Sequence, residues 1–296
     1  MSLLKIYNIY LSNKINFFVC FSLVFLVLII YFQANPNLYT SKAVLKINDD
    51  VIQSNQSSSI ADILPLGGLS TNESKQYYVR EKLMSVELST ELRNIEIFEK
   101  ALFAFSSYDQ NEKLIIQDKK VFNSNGEWNY RNKDGSIGRP SILGFHEKFH
   151  EHFSFDYDRL TNYFTMSFAH DSEILAKDLL TLMISTINSL ETEKVIEKTN
   201  KSIAYINRQY EAYPQKEVKD VLSSLIKKEL NDQMFANVNQ EYLLEYVDSP
   251  FIPEEPLGLK IWQKFILAIL SSFLFSIFYI ISLSFTRNEI KKFNKE

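Results

Sequence analysis

The chain has 296 residues, of which 46% are hydrophobic and 23% are charged, and its formal net charge is −4. This length suits one large core or two modest ones, and the slightly acidic balance excludes a basic nucleic-acid-binding protein. The single cysteine, Cys20, lies in an apolar run, so we expect no disulfide in the remainder of the chain.

Two uncharged apolar runs lie near the ends of the chain, at residues 15–32 and 265–285. Each meets the requirement of about 20 residues for a helix that crosses a hydrocarbon layer of ~30 Å. The first run could instead be a cleaved signal peptide, but its apolar core is longer than usual and no good small-residue cleavage site follows. We therefore predict two transmembrane helices.

Basic residues flank both runs on their terminal sides. Residues 1–14 carry lysines and no acid, and basic residues outnumber acids in residues 286–296. Because Lys and Arg near the ends of a span mark the cytoplasmic side, we expect both termini in the cytoplasm. Residues 33–264 then form a domain on the opposite, periplasmic side, and its acidic balance is tolerated because long domains translocate largely regardless of charge.

The pattern between the runs predicts an α+β domain with a long, extended helical arm, flanked by the two transmembrane helices. In a strand near the start, Ala43, Leu45 and Ile47 share one face. The predicted elements are a strand within 35–49, a turn at 64–70, helices over 74–94 and 95–105, a loop or small hairpin over 107–139, and a β-hairpin within 150–170.

A long helical region is predicted from about residue 171 to residue 246. Ser172 can provide the N-cap, and no proline or glycine follows before Pro214. The first half carries a broad apolar stripe, whereas residues 191–202 are polar nearly all round. Such a helix either projects into solvent or is supported by neighbouring subunits. A second helix is predicted over about 215–244.

The sequence HEKFH at residues 146–150 matches the zinc-protease pattern H-E-x-x-H. In such enzymes the pattern lies well inside a helix, whereas here Gly144 comes shortly before it and a strand pattern shortly after it. Lys148 is charged where a buried active-site helix usually has an apolar residue. We therefore predict an amphipathic helix with solvated histidines. A periplasmic zinc metalloprotease is the remote alternative, in which Glu147→Gln would abolish activity.

Other catalytic patterns are missing from the sequence. It has no Gly-x-Ser-x-Gly elbow, no Walker A sequence and no pairing of Cys with His outside the first apolar run. We therefore predict no catalytic residue, no cofactor, no metal ligand and no enzymatic activity.

Residues 248–260 have the sequence DSPFIPEEPLGLK and lead into the second apolar run. Pro250, Pro253 and Pro256 remove backbone donors and fix φ, so they end the preceding helix and favour an extended path. The two glutamates between the last prolines resist entry into a bilayer. We predict a stiff linker, with an ordinary membrane-proximal turn as the alternative.

Small residues recur every four positions in the second apolar run, at Ala268, Ser272 and Ser276. Such a stripe lets helices approach closely in lipid, so we predict that it packs against a helix and supports an oligomer. Serines that simply face lipid are the alternative.

The order of these features resembles the polysaccharide co-polymerases, the Wzz-type O-antigen chain-length determinant family. The resemblance covers the strand after the first run, LPLGGLS at 64–70 with the following helix, the entry to the long helix, and the proline stretch. Family members run from a Tyr-containing helix through a short acidic element into spaced prolines. The residues in those places here are Tyr242, Tyr246, Asp248, Pro250, Pro253 and Pro256. Leu257, Gly258 and Leu259 stand where members often have one more proline.

The resemblance implies a ring- or bell-shaped homo-oligomer in a bacterial inner membrane. It implies a scaffold that sets the modal length of O-antigen or a related surface polysaccharide, with a Wzy-type polymerase and lipid-linked glycan as partners, and without a reaction of its own. A co-polymerase for transporter-dependent or capsular export is the alternative. Related tyrosine autokinases carry a cytoplasmic ATPase domain, so a kinase would be a separate chain.

Overall fold

The computed structural model describes residues 14–34, 37–48, 71–109, 112, 114–123 and 125–293. The chain divides into two compact units. We call the unit up to Leu38 and from Leu257 the helical pair, and the unit Tyr39–Pro256 the central domain. The predicted α+β class is confirmed, whereas the turn predicted at 64–70 lies outside the described residues.

The secondary-structure elements are numbered in chain order within the described residues. The helices are α1 (Lys14–Ala34), α2 (Thr71–Leu83), α3 (Val86–Asn94), α4 (Glu96–Phe103), α5 (Ile142–His152), α6 (Glu173–Ala212), α7 (Lys216–Val238) and α8 (Ile261–Phe293). The strands are β1 (Tyr39–Ile47), β2 (Phe105–Asp109), β3 (Leu114–Gln117), β4 (Tyr130–Arg131), β5 (Ile137–Gly138), β6 (Phe153–Asp158), β7 (Tyr163–His170) and β8 (Leu244–Asp248).

The two apolar runs form the helices of the helical pair. By length and composition, α1 can cross a membrane over Lys14–Gln33 and α8 over Ile261–Leu283. The two helices pack against each other. The rings of Phe17 and Phe273 meet edge to face, with centroids 5.8 Å apart.

The central domain is built on a four-stranded antiparallel sheet in the order β6-β7-β1-β8. The predicted strand and hairpin are confirmed as β1 and as β6 with β7. Ala43 and Leu45 of β1 lie opposite Met166 and Phe164 of β7, and all four side chains are buried. Because side chains alternate along a strand, these cross-strand pairs make one apolar face.

The first half of α6 covers β1 and β7. Its apolar stripe repeats every four residues through Leu175, Leu179, Met183 and Ile187, and all four are buried. This is the spacing of one helix face, so the stripe predicted from the sequence forms the layer that lies on the sheet.

The single helix predicted over 74–94 is two helices in the structure. Ser85 lies between α2 and α3, and its hydroxyl accepts a hydrogen bond from the Leu88 N–H at 3.1 Å. A side chain that satisfies an N-terminal N–H stabilises a helix start at that position. The helix predicted next is α4, and the polar segment after it contains the short hairpins β2–β3 and β4–β5.

The long helical region ends earlier than predicted. Ser172 caps α6, which runs for 40 residues, but α7 ends at Val238 and not near 244 or 246. Residues Leu244–Asp248 form the edge strand β8 instead. The reason is tertiary, because β8 gains its backbone hydrogen bonds from β1, which is about 200 residues away in the sequence.

Candidate functional site

The tyrosines and the aspartate predicted as a motif lie on the return from α7 into the sheet. Tyr242 is buried, with its ring centroid 6.0 Å from that of Phe235. Tyr246 is half-buried in β8, where burial and then the carboxylate of Glu241 raise its pKa to about 12. Asp248, at the end of β8, is exposed. The tyrosines therefore pack within the domain, whereas Asp248 is accessible.

The three prolines, at 250, 253 and 256, belong to the central domain, and the stretch is not helical. Pro250 and Pro253 are buried and Pro256 is half-buried. Between the first two, the carbonyl of Phe251 accepts a hydrogen bond from the buried hydroxyl of Ser41 at 2.7 Å. Proline has no N–H to donate to a neighbouring strand, and this loss is tolerated at an edge strand because no further strand pairs there.

One buried amide holds the return segment against α6. Asn188 is 2% exposed. Its Oδ1 accepts hydrogen bonds from the N–H groups of Leu243 at 2.9 Å and Leu244 at 2.8 Å. Its Nδ2 donates to the carbonyl of Leu244 at 2.9 Å. The side-chain amide therefore takes the place of a neighbouring strand's peptide group along the outer edge of β8.

A second side chain closes the same edge. The Glu241 carboxylate accepts a hydrogen bond from the Tyr246 N–H at 3.0 Å. Unpaired groups on an edge strand invite pairing with other chains, but at Leu244 and Tyr246 side chains of the same domain occupy them. A strand from a partner would have to break these bonds, so this edge does not favour strand addition.

The polar section of α6 begins with an ion cluster. Glu191 is 4% exposed; Lys82 Nζ lies 2.8 Å from its carboxylate, and the Tyr78 hydroxyl donates to it at 2.5 Å. Burial, followed by Glu191, raises the pKa of Tyr78, so this hydroxyl keeps its proton. Lys194 contacts both Glu191 and Glu87. Helices α2 and α3 thus support the start of a section that was predicted to need solvent or neighbouring subunits.

The arm, formed by α6 and α7, leaves large apolar side chains exposed. These are Tyr205, Tyr210, Tyr213, Val221, Leu225, Leu230, Met234 and Val238. Successive helix residues are rotated by about 100°, so Val221 and Leu225 lie within about 60° of the buried Ala236 position, whereas Met234 and Val238 lie about 160° from it, on the opposite side of α7. We call these two pairs the first and the second flank of α7. Helix α7 therefore offers two apolar surfaces in addition to the one that packs on α6.

A groove of about 610 Å³ lies beside the second flank, at the end of α7. Met234 and Val238 are 64% and 78% exposed there. The residues that line the groove are Asn231, Asp232, Met234, Phe235, Val238, Asn239 and Tyr242. Exposed apolar side chains at a groove with a polar rim are typical of interaction sites.

The HEKFH sequence lies within α5, which packs against α3. His146 Nδ1 is 2.8 Å from Ser89 Oγ, and the ring centroids of His146 and His150 are 4.4 Å apart. Both ring nitrogens of His150 are buried without a hydrogen-bond partner. The prediction of solvated histidines is therefore not confirmed: both residues are half-buried, and His146 contacts Ser89 of α3. Glu147 is exposed and forms an ion pair with Lys133.

The metalloprotease alternative gains no support from this geometry. Among the described residues, no three His, Cys, Asp or Glu side chains are grouped so that they could hold a metal ion. A catalytic zinc site needs three protein ligands and a glutamate that can activate water, whereas Glu147 is paired with a lysine at the surface.

The small-residue stripe of α8 is buried. Ala268, Ser272 and Ser276 are at most 1% exposed, and α1 is the helix that packs along α8. The Ser276 hydroxyl donates to the carbonyl of Ser272 at 2.7 Å, so this polar group is satisfied within its own helix. We therefore propose that the stripe is a contact between the two helices of one chain, and not an interface between chains.

Sequence reasoning did not single out Asn188, Glu191 or Glu241. The first two lie on the buried stripe of α6, one turn after Ile184 and Ile187. A polar residue on an otherwise apolar helix face indicates a buried hydrogen bond, and this pattern could have identified both. No comparable pattern marks Glu241, because its partner is a backbone group in a strand predicted as helix.

Replacing Asn188 by Leu is expected to destabilise the central domain by roughly 3 kcal/mol or more. Buried backbone groups of Leu243 and Leu244 would lose their partners, and each such loss costs about 1–3 kcal/mol. Denaturant unfolding of the full chain, followed by circular dichroism, measures the change. Asn237→Leu is the matched control, because Asn237 is exposed and bonds to a carbonyl of its own helix. Equal stability of the two variants would contradict the role of Asn188.

The central domain is expected to lose stability as the pH falls below about 6.5. Burial, and then His146, lowers the pKa of His150, and burial lowers the pKa values of His152 and His170. The unfolded chain, whose histidines have pKa values near 6.5, therefore binds more protons than the folded chain in acid. His150→Leu should flatten this dependence and raise stability at about pH 5, as measured by denaturant midpoints across the pH range. An unchanged pH dependence would show that this ring is not the proton-linked group.

No protein-family model matches the chain, and no curated protein matches it. Several solved structures are similar to it. A full-length bacterial polysaccharide co-polymerase has 12% sequence identity and a TM-score of 0.36, with 97% of this chain and 99% of that chain covered. A fragment of the polysaccharide co-polymerase WzzB from Salmonella Typhimurium has 11% identity and a TM-score of 0.34, with 75% and 100% covered.

A mutant of the Shigella flexneri lipopolysaccharide O-antigen chain-length regulator WzzB has 10% identity and a TM-score of 0.20, with 74% of this chain and 99% of that chain covered. The names of these three structures are those of polysaccharide co-polymerases and an O-antigen chain-length regulator.

Proposed function

We propose that this chain is a non-enzymatic co-polymerase that regulates the chain length of O-antigen or a related lipopolysaccharide glycan. It acts as a homo-oligomeric scaffold in a bacterial inner membrane, together with a Wzy-type polymerase and its lipid-linked glycan. Both termini are cytoplasmic in this proposal, residues 15–32 and 265–285 span the membrane, and the central domain is periplasmic.

The observation that carries the proposal is the arm. A 40-residue helix leaves the sheet, and α7 packs back along it. Apolar side chains stay exposed on both flanks of α7, at Val221 and Leu225 and at Met234 and Val238. A surface of this kind is costly in water unless it is covered. Two flanks that are both apolar suit a helix with a neighbouring copy on each side, as in a closed ring.

The buried polar groups also support a scaffold. Glu99 is 3% exposed, and Arg139 Nε donates to both of its carboxylate oxygens at 2.8 and 3.0 Å. Asn188 and Glu191 are likewise bonded to groups of their own domain. Buried charged and amide groups with such partners hold helices and strands in place. Their oxygens already accept hydrogen bonds or ion pairs within the domain, which suits a structural role.

In this proposal the proline stretch is a stiff linker between the central domain and the second span. Tyr242 and Tyr246 fix its start within the domain, and Pro250, Pro253 and Pro256 stiffen the backbone between that start and the span. Replacing 250–256 with a Gly/Ser segment should therefore change chain-length control without preventing membrane insertion. Lipopolysaccharide electrophoresis and membrane fractionation measure the two properties. A parental band pattern from the replacement would contradict the role of the prolines.

Deletion of the gene tests the function itself. We expect the cluster of modal bands to be lost on electrophoresis of surface lipopolysaccharide, leaving random chain lengths, and complementation should restore it. A lipopolysaccharide ladder identical to that of the parent would refute the proposal. Loss of a capsular polymer instead would point to the co-polymerases of capsular export.

Replacing Met234 by Glu tests the oligomer. A charge placed in a buried apolar contact must be desolvated, so we expect the assembly to dissociate into smaller species. Native mass spectrometry of the detergent-solubilised chain measures the mass. Asn237→Glu is the matched control, since Asn237 is exposed on the same helix, and it should keep the parental mass. A parental mass for Met234→Glu would exclude this flank as a contact between copies.

A further inference from the structure

The segments just after α1 and just before α8 bond to each other. The Leu257 N–H donates to the carbonyl of Leu38 at 2.8 Å, and the two residues form an antiparallel bridge. Asn37 Nδ2 donates to the carbonyl of Leu259 at 2.7 Å. We call Asn37, Leu38 and Leu257–Leu259 the clasp. It joins backbone positions that are more than 200 residues apart in the sequence.

Gly258 is required in the clasp for two independent reasons. Its φ is +130°, a conformation that residues with a side chain rarely adopt. In addition, a Cβ at this position would lie 3.0 Å from Asn37 Oδ1 and 3.2 Å from Asn37 Cγ. A proline here is incompatible with the backbone, since its ring fixes φ near −65°. Gly258 is thus the residue that admits the side chain of Asn37.

The packing contacts between α1 and α8 do not by themselves fix the axial register of the two helices. Apolar helices in lipid have no hydrophobic force that drives them together, and they pack through small residues and van der Waals contacts. Along α1 and α8 these contacts include the edge-to-face rings of Phe17 and Phe273 and the buried Ala268. Such surfaces permit sliding and rotation, whereas the two hydrogen bonds of the clasp are directional. In the sequence, the clasp residues follow Phe32 and precede Lys264. The Lys264 ammonium lies 5.8 Å from the ring centroid of Phe32.

We propose that the clasp fixes the axial register of α1 and α8, and that chain-length control requires this fixed register. The second half rests on the proposed function, whereas the first half concerns the helical pair alone. Gly258 and Asn37 are therefore positioning residues, and neither is proposed to contact the glycan or the polymerase.

The register can be measured in the full chain by the distance between two spin labels. Tyr31 and Trp262 are 59% and 60% exposed at the clasp end of the helices, so both can be replaced by labelled cysteines on a Cys20→Ser background. Labelled chains are diluted with unlabelled chains in lipid vesicles, so that distances within one chain dominate. Gly258→Val and Asn37→Ala should each broaden the distance distribution, roughly twofold for the valine variant, because several registers become populated.

Gly126→Val is the matched control. Gly126 also has a positive φ, +83°, but nothing lies within 4 Å of a Cβ at that position, so the substitution strains a backbone without displacing a neighbour. We expect its distance distribution to equal the parent's. Asn37→Ala removes one side-chain bond without straining the backbone, and it keeps the test decisive if Gly258→Val does not fold.

The same variants are then expressed in the deletion strain. We expect normal membrane insertion and a shifted or lost modal cluster for Gly258→Val and Asn37→Ala, with a parental ladder for Gly126→Val. Parental distance distributions for both clasp variants would overturn the first half. Broadened distributions with a parental ladder would overturn the second half. If deletion leaves the ladder unchanged, the proposed function and the second half fail together, while the distance measurement still decides the first half.

Discussion

The bonds between the amide of Asn188 and the backbone of Leu243 and Leu244 are the constraint on which the central domain depends. Helix α6 starts on the sheet and leaves it as the arm, and the chain returns through α7 to β8. Without this amide, the start of β8 would bring three buried peptide groups into the core with no partner, and such groups are costly in a medium of low polarity. The amide therefore fixes both where the arm leaves the sheet and where the chain re-enters it.

Buried polar contacts continue to anchor α6 beyond Asn188. Ile187 and Asn188 lie over the sheet, and Glu191 comes one turn later with Lys82 and Tyr78 as partners. The helix thus changes from apolar contacts with the sheet to ionic contacts before it enters the arm, where Thr199 and Ile206 are again buried. Replacing one member of such a cluster leaves a buried charge without a partner, which is strongly destabilising. The base of the arm is held firmly, whereas the arm itself has open apolar flanks.

Most elements could be predicted from their local sequence, and the failures share a physical cause. Ser172 and the stripe from Leu175 to Ile187 define the start and the buried face of α6 without reference to other parts of the chain. Residues 242–246 contain apolar and aromatic residues that suit either a helix or a strand, so only the neighbouring β1 decides between them. Ser85 can cap a helix or stand inside one, and no proline or glycine interrupts residues 74–94, so the local pattern predicts a single helix. The histidines of HEKFH are half-buried and not fully solvated, because His146 contacts Ser89 of α3, which is distant in the sequence.

The sequence by itself determined the two apolar helices, the α+β class, the hairpin of β6 and β7, and the long helix, because each depends on hydrophobic runs, alternation or capping within a short window. Only the tertiary structure decided that Asn188 and Glu241 close the edge of β8, that Ala268, Ser272 and Ser276 are buried in a pair of helices from one chain, and that Gly258 admits Asn37. Apart from the bond between Glu241 and the nearby Tyr246, each of these depends on a contact between residues far apart in the chain. The free energy of such a contact depends on the geometry of both partners, not on the sequence spacing around either one.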